Sequence, residues 1–145
     1  GREKAPAALC RKIINAKLHN LETLDVWGDG KQTRSFLYIS DCLDGTEKIF
    51  NSTSQQVYNV GSSEQVSINQ MIDIIEDISE IKLKRNYQLD KPKGVRGRSS
   101  DNTKINDEIN WVPSINLKTG LEKTYKWIYD QVKSGSNLSK FTRSY

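Results

Sequence analysis

Leu24-Asp-Val-Trp27, Gly28-Asp-Gly30 and Ser35-Phe-Leu-Tyr-Ile39 follow one another with four residues between the last two, and this run decides the fold class. The first piece reads as a short strand. The second is a turn signal, and the third is rich in β-forming side chains. Upstream, Pro6 suits a first helical turn, and Leu9, Ile13, Ile14 and Ala16 make an apolar stripe that ends at a break near Asn20. Downstream, Ser40 or Asp41 is placed to cap a helix carrying Leu43, Thr46, Ile49 and Phe50. Further along come a strand at Val57-Tyr-Asn-Val60 and a Ser67-x-x-Gln70 capping box opening a helix with Ile68, Met71, Ile72, Ile75 and Ile78 on one face. The pattern then predicts a strand over 81–87, an open loop over 90–100 and a short helix capped by Asp101. A last helix is capped by Asn116 and carries Leu117, Leu121, Tyr125, Ile128 and Val132. Helices alternate with strands, so the expected fold class is α/β or α+β.

The chain has 145 residues, enough for one domain, expected over 1–133 with a flexible tail over 134–145. Apolar runs fall well short of the ~18 residues of a membrane helix. The opening Gly-Arg-Glu-Lys-Ala-Pro has no apolar signal region. Cys10 and Cys42 read as core thiols, and with His19 as the single histidine they are too few for a disulfide scaffold or an all-protein zinc site. A reducing, cytoplasmic setting is the expectation.

The formal charge of +4 is unevenly spread: seven bases and one acid lie between Lys82 and Arg98, so that stretch alone carries +6. Such a cluster is either a solvated face or an anion site. Within it, Lys91-Pro-Lys-Gly-Val-Arg-Gly-Arg98 combines glycines that let an anion approach the backbone with guanidinium forks that match a phosphate edge. In an extended segment Arg96 and Arg98 point to the same face. RNA contact is the rival use, but the loop lacks aromatics for base stacking, which makes nucleic acid the poorer fit. Gly28-x-Gly30 lacks the third glycine of a dinucleotide fingerprint and leads into a strand, not a helix. By pattern alone Arg34 reads as a surface arginine, and Lys4 as a solvated residue that the helix dipole disfavours.

Gly1-Arg-Glu-Lys-Ala-Pro-Ala-Ala-Leu-Cys-Arg-Lys12, Trp27-Gly-Asp-Gly-Lys-Gln-Thr-Arg-Ser-Phe36, Tyr58-Asn-Val-Gly-Ser62 and Gly94-Val-Arg-Gly-Arg98, with the closing Trp111-Val-Pro and Leu117-Lys-Thr-Gly-Leu121, occur in that order. This series resembles the C-terminal part of the extended short-chain dehydrogenase/reductase nucleotide-sugar enzymes, and within them the GDP-mannose 3,5-epimerases. The resemblance implies a C-terminal substrate-binding portion, with the Rossmann dinucleotide half absent and residues 36–61 packing on that half. It implies that Lys4 is the catalytic acid/base and that Glu3, Ala5 and Lys12 line the substrate site. Gln32, Thr33 and Arg34 match nucleotide-diphosphate contacts and Arg98 a second phosphate-binding arginine, with Arg96 close by. The cofactor implied is NAD, held in the missing N-terminal part. The partners implied are a GDP-mannose-type nucleotide sugar and either the missing Rossmann part or a second copy, with no membrane. Another nucleotide-sugar 4,6-dehydratase or decarboxylase, or a non-catalytic polyanion-binding module, are the alternatives.

Overall fold

A computed structural model describes residues 3–92 and 94–135; Lys93 of the basic stretch and most of the expected tail, 136–145, lie outside the described residues. Helix α1 (Ala5–His19) carries Pro6 in its first turn and ends at Asn20, whose left-handed backbone (φ 53°) returns its N–H to the Ala16 carbonyl. Strand β1 (Thr23–Trp27) buries Leu24 and Val26 and turns Thr23, Asp25 and Trp27 outward. Strand β2 (Thr33–Ser35) follows the Gly28–Gly30 turn, and helix α2 (Ile39–Asn51) follows it. Strand β3 (Gln65–Ser67) runs into helix α3 (Ile68–Ser79), whose start carries the capping box: the Ser67 hydroxyl accepts from Gln70 N and the Gln70 side chain accepts from Ser67 N. Strand β4 (Lys84–Gln88), strand β5 (Gly97–Arg98), helix α4 (Thr103–Ile109) and helix α5 (Leu117–Lys133) complete the order. The Asn116 side chain caps α5 by accepting from Thr119 N.

Among the described residues two small sheets form. β1 pairs in parallel with β4, Asp25 opposite Asn86. β2 lies between antiparallel β3 and parallel β5, with Arg34 opposite both Val66 and Arg98. The core is where α1, α3 and α5 meet the inner face of β1. Ile13, Ile14, Met71, Ile72 and Ile75 are fully buried there, with Val26 and Leu121 beside them.

Several expectations move. The second strand stops at Ser35, because β3 pairs only with Thr33–Ser35 and β5 only with Thr33 and Arg34; Ile39 already begins α2. Neither Ser40 nor Asp41 caps that helix, since Tyr38 stands at its cap. Asp41 is instead buried in the first turn, its carboxylate accepting from Ser114 N, Ser114 Oγ and Ile115 N. The segment 57–60 pairs with no strand among the described residues. The ladder of β4 begins at Lys84, while Ile81 and Leu83 pack against the core. The loop over 90–100 contains β5. Asp101 accepts from Thr103 N at 2.9 Å but sits one residue before the cap of α4, which is Asn102. Cys10 is a core thiol; Cys42 is only half-buried, on α2. Gly45 is where α2 touches the buried Trp111: a Cβ there would stand 2.8 Å from the indole.

Candidate functional site

The N-terminal half of α1 and the edge of β1 that β4 leaves free enclose a cavity of about 300 Å³, lined among others by Glu3, Ala5, Lys12, Asp25, Trp27 and Gln32. Backbone groups of successive strand residues face opposite edges. Those of Leu24 and Val26 bond β4, so the carbonyls of Asp25 and Trp27 face the cavity edge. Lys12 Nζ donates to the Asp25 carbonyl at 3.0 Å, and Gln32 Nε2 lies 3.5 Å from that of Trp27. The Gln32 Oε1 is buried with no hydrogen-bond partner among the described residues, an acceptor available to a ligand donor. Glu3 is clamped by Arg11: Nε reaches Oε1 at 2.9 Å and Oε2 at 2.7 Å, and a second guanidinium nitrogen reaches Oε2 at 2.7 Å. Lys4 is exposed at the N-cap of α1, with extended backbone (φ −74°, ψ 159°), and its carbonyl accepts from Ala8 N.

Arg34 and Arg98 line one shallow recess with Ser35, Asn59, Ser99 and Ser100. Arg34 is held by donating to the Thr33 and Val95 carbonyls, both at 2.6 Å. Gly97 lets β5 approach the Thr33 hydroxyl, which a Cβ would meet at 2.9 Å. Arg96 lines a separate recess with Asp29, Lys31, Gln32 and Gly94, so the expected shared face of Arg96 and Arg98 is not formed. Only Gly97 and Arg98 belong to the ladder, and Arg96 is still in the turn before it.

The arginines divide by partner. Arg11 is paired with Glu3, and Arg85 with Asp73 and the buried Glu76. Arg34, Arg96 and Arg98 have no carboxylate partner among the described residues, which leaves their charge available. The basic stretch is therefore two regions. Lys82 bonds Asp77 at 2.7 Å, which lowers the carboxyl pKa of Asp77 and raises that of Lys82, and with Arg85 it faces the acids of α3. The segment after Leu89 faces the recesses. The Glu3–Arg11 clamp escaped sequence reading, since Glu3 precedes the helix and no helical spacing rule links it to Arg11.

The Gly28–Gly30 turn is not built as a dinucleotide cradle. It leads into β2, and Asn69 fills the space above it: a Cβ on Gly30 would lie 2.2 Å from Asn69 Oδ1. Among the described residues no group of three or more His, Cys, Asp or Glu could hold a metal, and no helix is long and apolar enough to cross a membrane.

The sequence model of the GDP-mannose 4,6 dehydratase family matches residues 1–124. The chain belongs to this family. Members and neighbours agree with the assignment. GDP-mannose 3,5-epimerase of Arabidopsis thaliana is 40% identical over 99% of this chain, which spans 38% of that protein. The UDP-glucuronic acid 4-epimerase of Bacillus cereus, solved in complex with NAD, superposes with a TM-score of 0.74 at 29% identity, over 92% of this chain and 39% of its own. The UDP-glucose 4-epimerase of Thermotoga maritima, solved with UDP-glucose, shares the fold with a TM-score of 0.81 at 22% identity, over 91% and 41% of the two chains. The chain is thus an α/β portion of a family of nucleotide-sugar enzymes, the extended short-chain dehydrogenase/reductases.

Proposed function

We propose that the chain is the nucleotide-sugar-binding C-terminal portion of a GDP-mannose 3,5-epimerase-like enzyme. The observation that supports this most is the pair Arg34 and Arg98, set on adjacent strands, unpaired with acid and facing one recess. Two planar guanidinium forks at that spacing suit a diphosphate, whose charge a single cation leaves half neutralised. The cavity with Glu3, Ala5, Lys12 and Gln32 on its walls, which shares Gln32 with the recess of Arg96, takes the rest of the ligand in this reading. Thr33 lies between Gln32 and Arg34 in the chain, its hydroxyl against Gly97, and Arg96 adds positive charge at the neighbouring recess.

Lys4 is the acid/base in this reading. Its exposed ammonium, on a flexible stem at the head of α1, moves a proton at a sugar carbon beside a carbonyl. The remaining parts lie outside the chain: NAD, which the Bacillus cereus neighbour holds, belongs to the dinucleotide half. Residues 36–61, with Ile39, Leu43, Phe50 and Val57 exposed, dock on that half, or on a second copy in its absence. Two unpaired thiols suit a cytoplasmic setting.

The test is titration of the chain with GDP, followed by NMR. Signals of both the 32–34 and 95–98 segments move, and Arg34→Ala or Arg98→Ala each costs about 1.5–3 kcal/mol of binding, for GDP and UDP alike. No shift at millimolar nucleotide overturns the reading. Joined to a matching N-terminal part, the chain gains epimerase activity, and Lys4→Met then stops exchange of sugar protons with solvent while GDP-mannose still binds. Normal inversion by Lys4→Met overturns the role of Lys4 alone.

A further inference from the structure

Asn102 stands at the N-cap of α4 yet does not cap it. An asparagine there ordinarily accepts from the backbone one turn on, as Asn116 does for α5. Here Asp101 serves Thr103 N instead, and the Asn102 side chain turns backwards. Its Oδ1 accepts from Ser100 Oγ at 2.7 Å, and its Nδ2 donates to the Gly61 carbonyl at 2.7 Å. Ser100 N donates to the Ser62 carbonyl at 3.3 Å. Gly61 makes room for this: a Cβ on it would stand 2.4 Å from that of Ser100. The outcome is a closed latch between the 59–62 limb and the chain just after Arg98.

Arg98 needs such a latch. Among the described residues its strand has two members, paired with β2 on one side, and its guanidinium meets no carboxylate. We infer that Asn102 is a positioning residue: through Ser100 and Gly61 it fixes the end of β5 and so aims Arg98 into the recess it shares with Arg34. This rests on the diphosphate reading for its purpose but not for its geometry. Because residues 59–61 of the limb belong to the segment proposed to dock on the dinucleotide half, the latch also ties the grip on the diphosphate to that docking.

Asn102→Asp separates the latch from the helix. Aspartate caps as well as asparagine and still accepts from Ser100, but it cannot donate to the Gly61 carbonyl and sets a charge against it. In the ligand-free chain, Asn102→Asp speeds amide hydrogen exchange at Arg98, Ser99 and Ser100 at least tenfold, with α5 unchanged. In the GDP titration it weakens binding five- to tenfold, and adds nothing once Arg98 is already alanine. Asn102→Ala gives the same pattern. Unchanged exchange at 98–100 overturns the inference, as does an equal loss of GDP affinity with and without Arg98, which is the mark of a merely structural residue. If the unaltered chain ignores GDP while Asn102→Asp still loosens 98–100, the diphosphate reading falls and the positioning role stands.

Discussion

Helices α3 and α2 are about equally two-faced in sequence, and the fold treats them in opposite ways. α3 lays Ile68, Met71, Ile72 and Ile75 into the core between α1 and α5. α2 buries only Asp41 and Gly45, and leaves Ile39, Leu43 and Phe50 in solvent, Phe50 at 86% exposure. A hydrophobic stripe therefore says which face wants a partner, not that the same chain supplies it. In a chain spanning 38% of its Arabidopsis relative, the unanswered stripe marks where the remainder is proposed to sit.

The comparison breaks first at α3. Ile72→Ala opens a cavity in a fully buried site and is expected to destabilise the chain by about 2–5 kcal/mol in urea unfolding. A loss under 1 kcal/mol would mean that α3 is no better packed than α2.

The two cysteines sharpen it. Burial in α1 pushes the Cys10 thiol from the ordinary range up to about 12, because the thiolate is poorly solvated there. The folded state thus keeps a proton that the unfolded chain gives up. This contribution is intact below about pH 9 and is lost as pH rises toward 12, at about 1.4 kcal/mol per pH unit. Cys10→Ala flattens that alkaline slope in denaturation measured across pH, whatever its packing cost at pH 7. Half-exposed Cys42 reacts with a thiol reagent in the native chain, and Cys10 reacts only on unfolding. Equal reactivity of the two would erase the distinction.

α2 is nevertheless attached. Its buried Asp41 accepts three hydrogen bonds from Ser114 and Ile115, so Asp41→Ala leaves donors unanswered and is expected to cost about 1–3 kcal/mol. Amide exchange shows where: α2 and residues 111–116 open, while α1 and α3 keep their protection.

Features encoded within a few residues were legible. The capping box at Ser67 and Gln70, the Asn116 cap and the stripes of α1, α3 and α5 read directly, because each signal and its consequence share one helix. Features made by distant partners were not. β2 ends where its neighbours end, and β5 exists only because Thr33 and Arg34 lie beside it. The candidate site follows the same rule. Arg98 and Arg34 carry a phosphate-like chemistry that composition hints at, but their shared recess, and Arg96's exclusion from it, come from a two-residue ladder no pattern announces. Lys4 has no signal in spacing at all and is visible through resemblance alone.

The smallest expected effect is the most pointed test of the contrast. Phe50→Asp removes a large apolar side chain from α2, where core logic would predict severe loss. Phe50, however, is almost wholly in water, so the native chain has little burial to lose, and exposed substitutions change stability by roughly ±0.5 kcal/mol. The added charge falls in the last turn of α2, where the helix dipole disfavours it by about 0.3–1 kcal/mol, so the total loss stays near 1 kcal/mol or below. Phe50→Ala avoids that charge and is expected to stay within about 0.5 kcal/mol. What does change is association. A contiguous apolar face in solvent drives self-contact, so the unaltered chain is expected to show concentration-dependent mass in sedimentation, and Phe50→Asp to sediment as a monomer. In a chain joined to the proposed dinucleotide half, the same substitution weakens the docking of α2 on that half. A loss of several kcal/mol in the isolated chain would show instead that α2 is packed by its own residues, and the contrast with α3 would disappear.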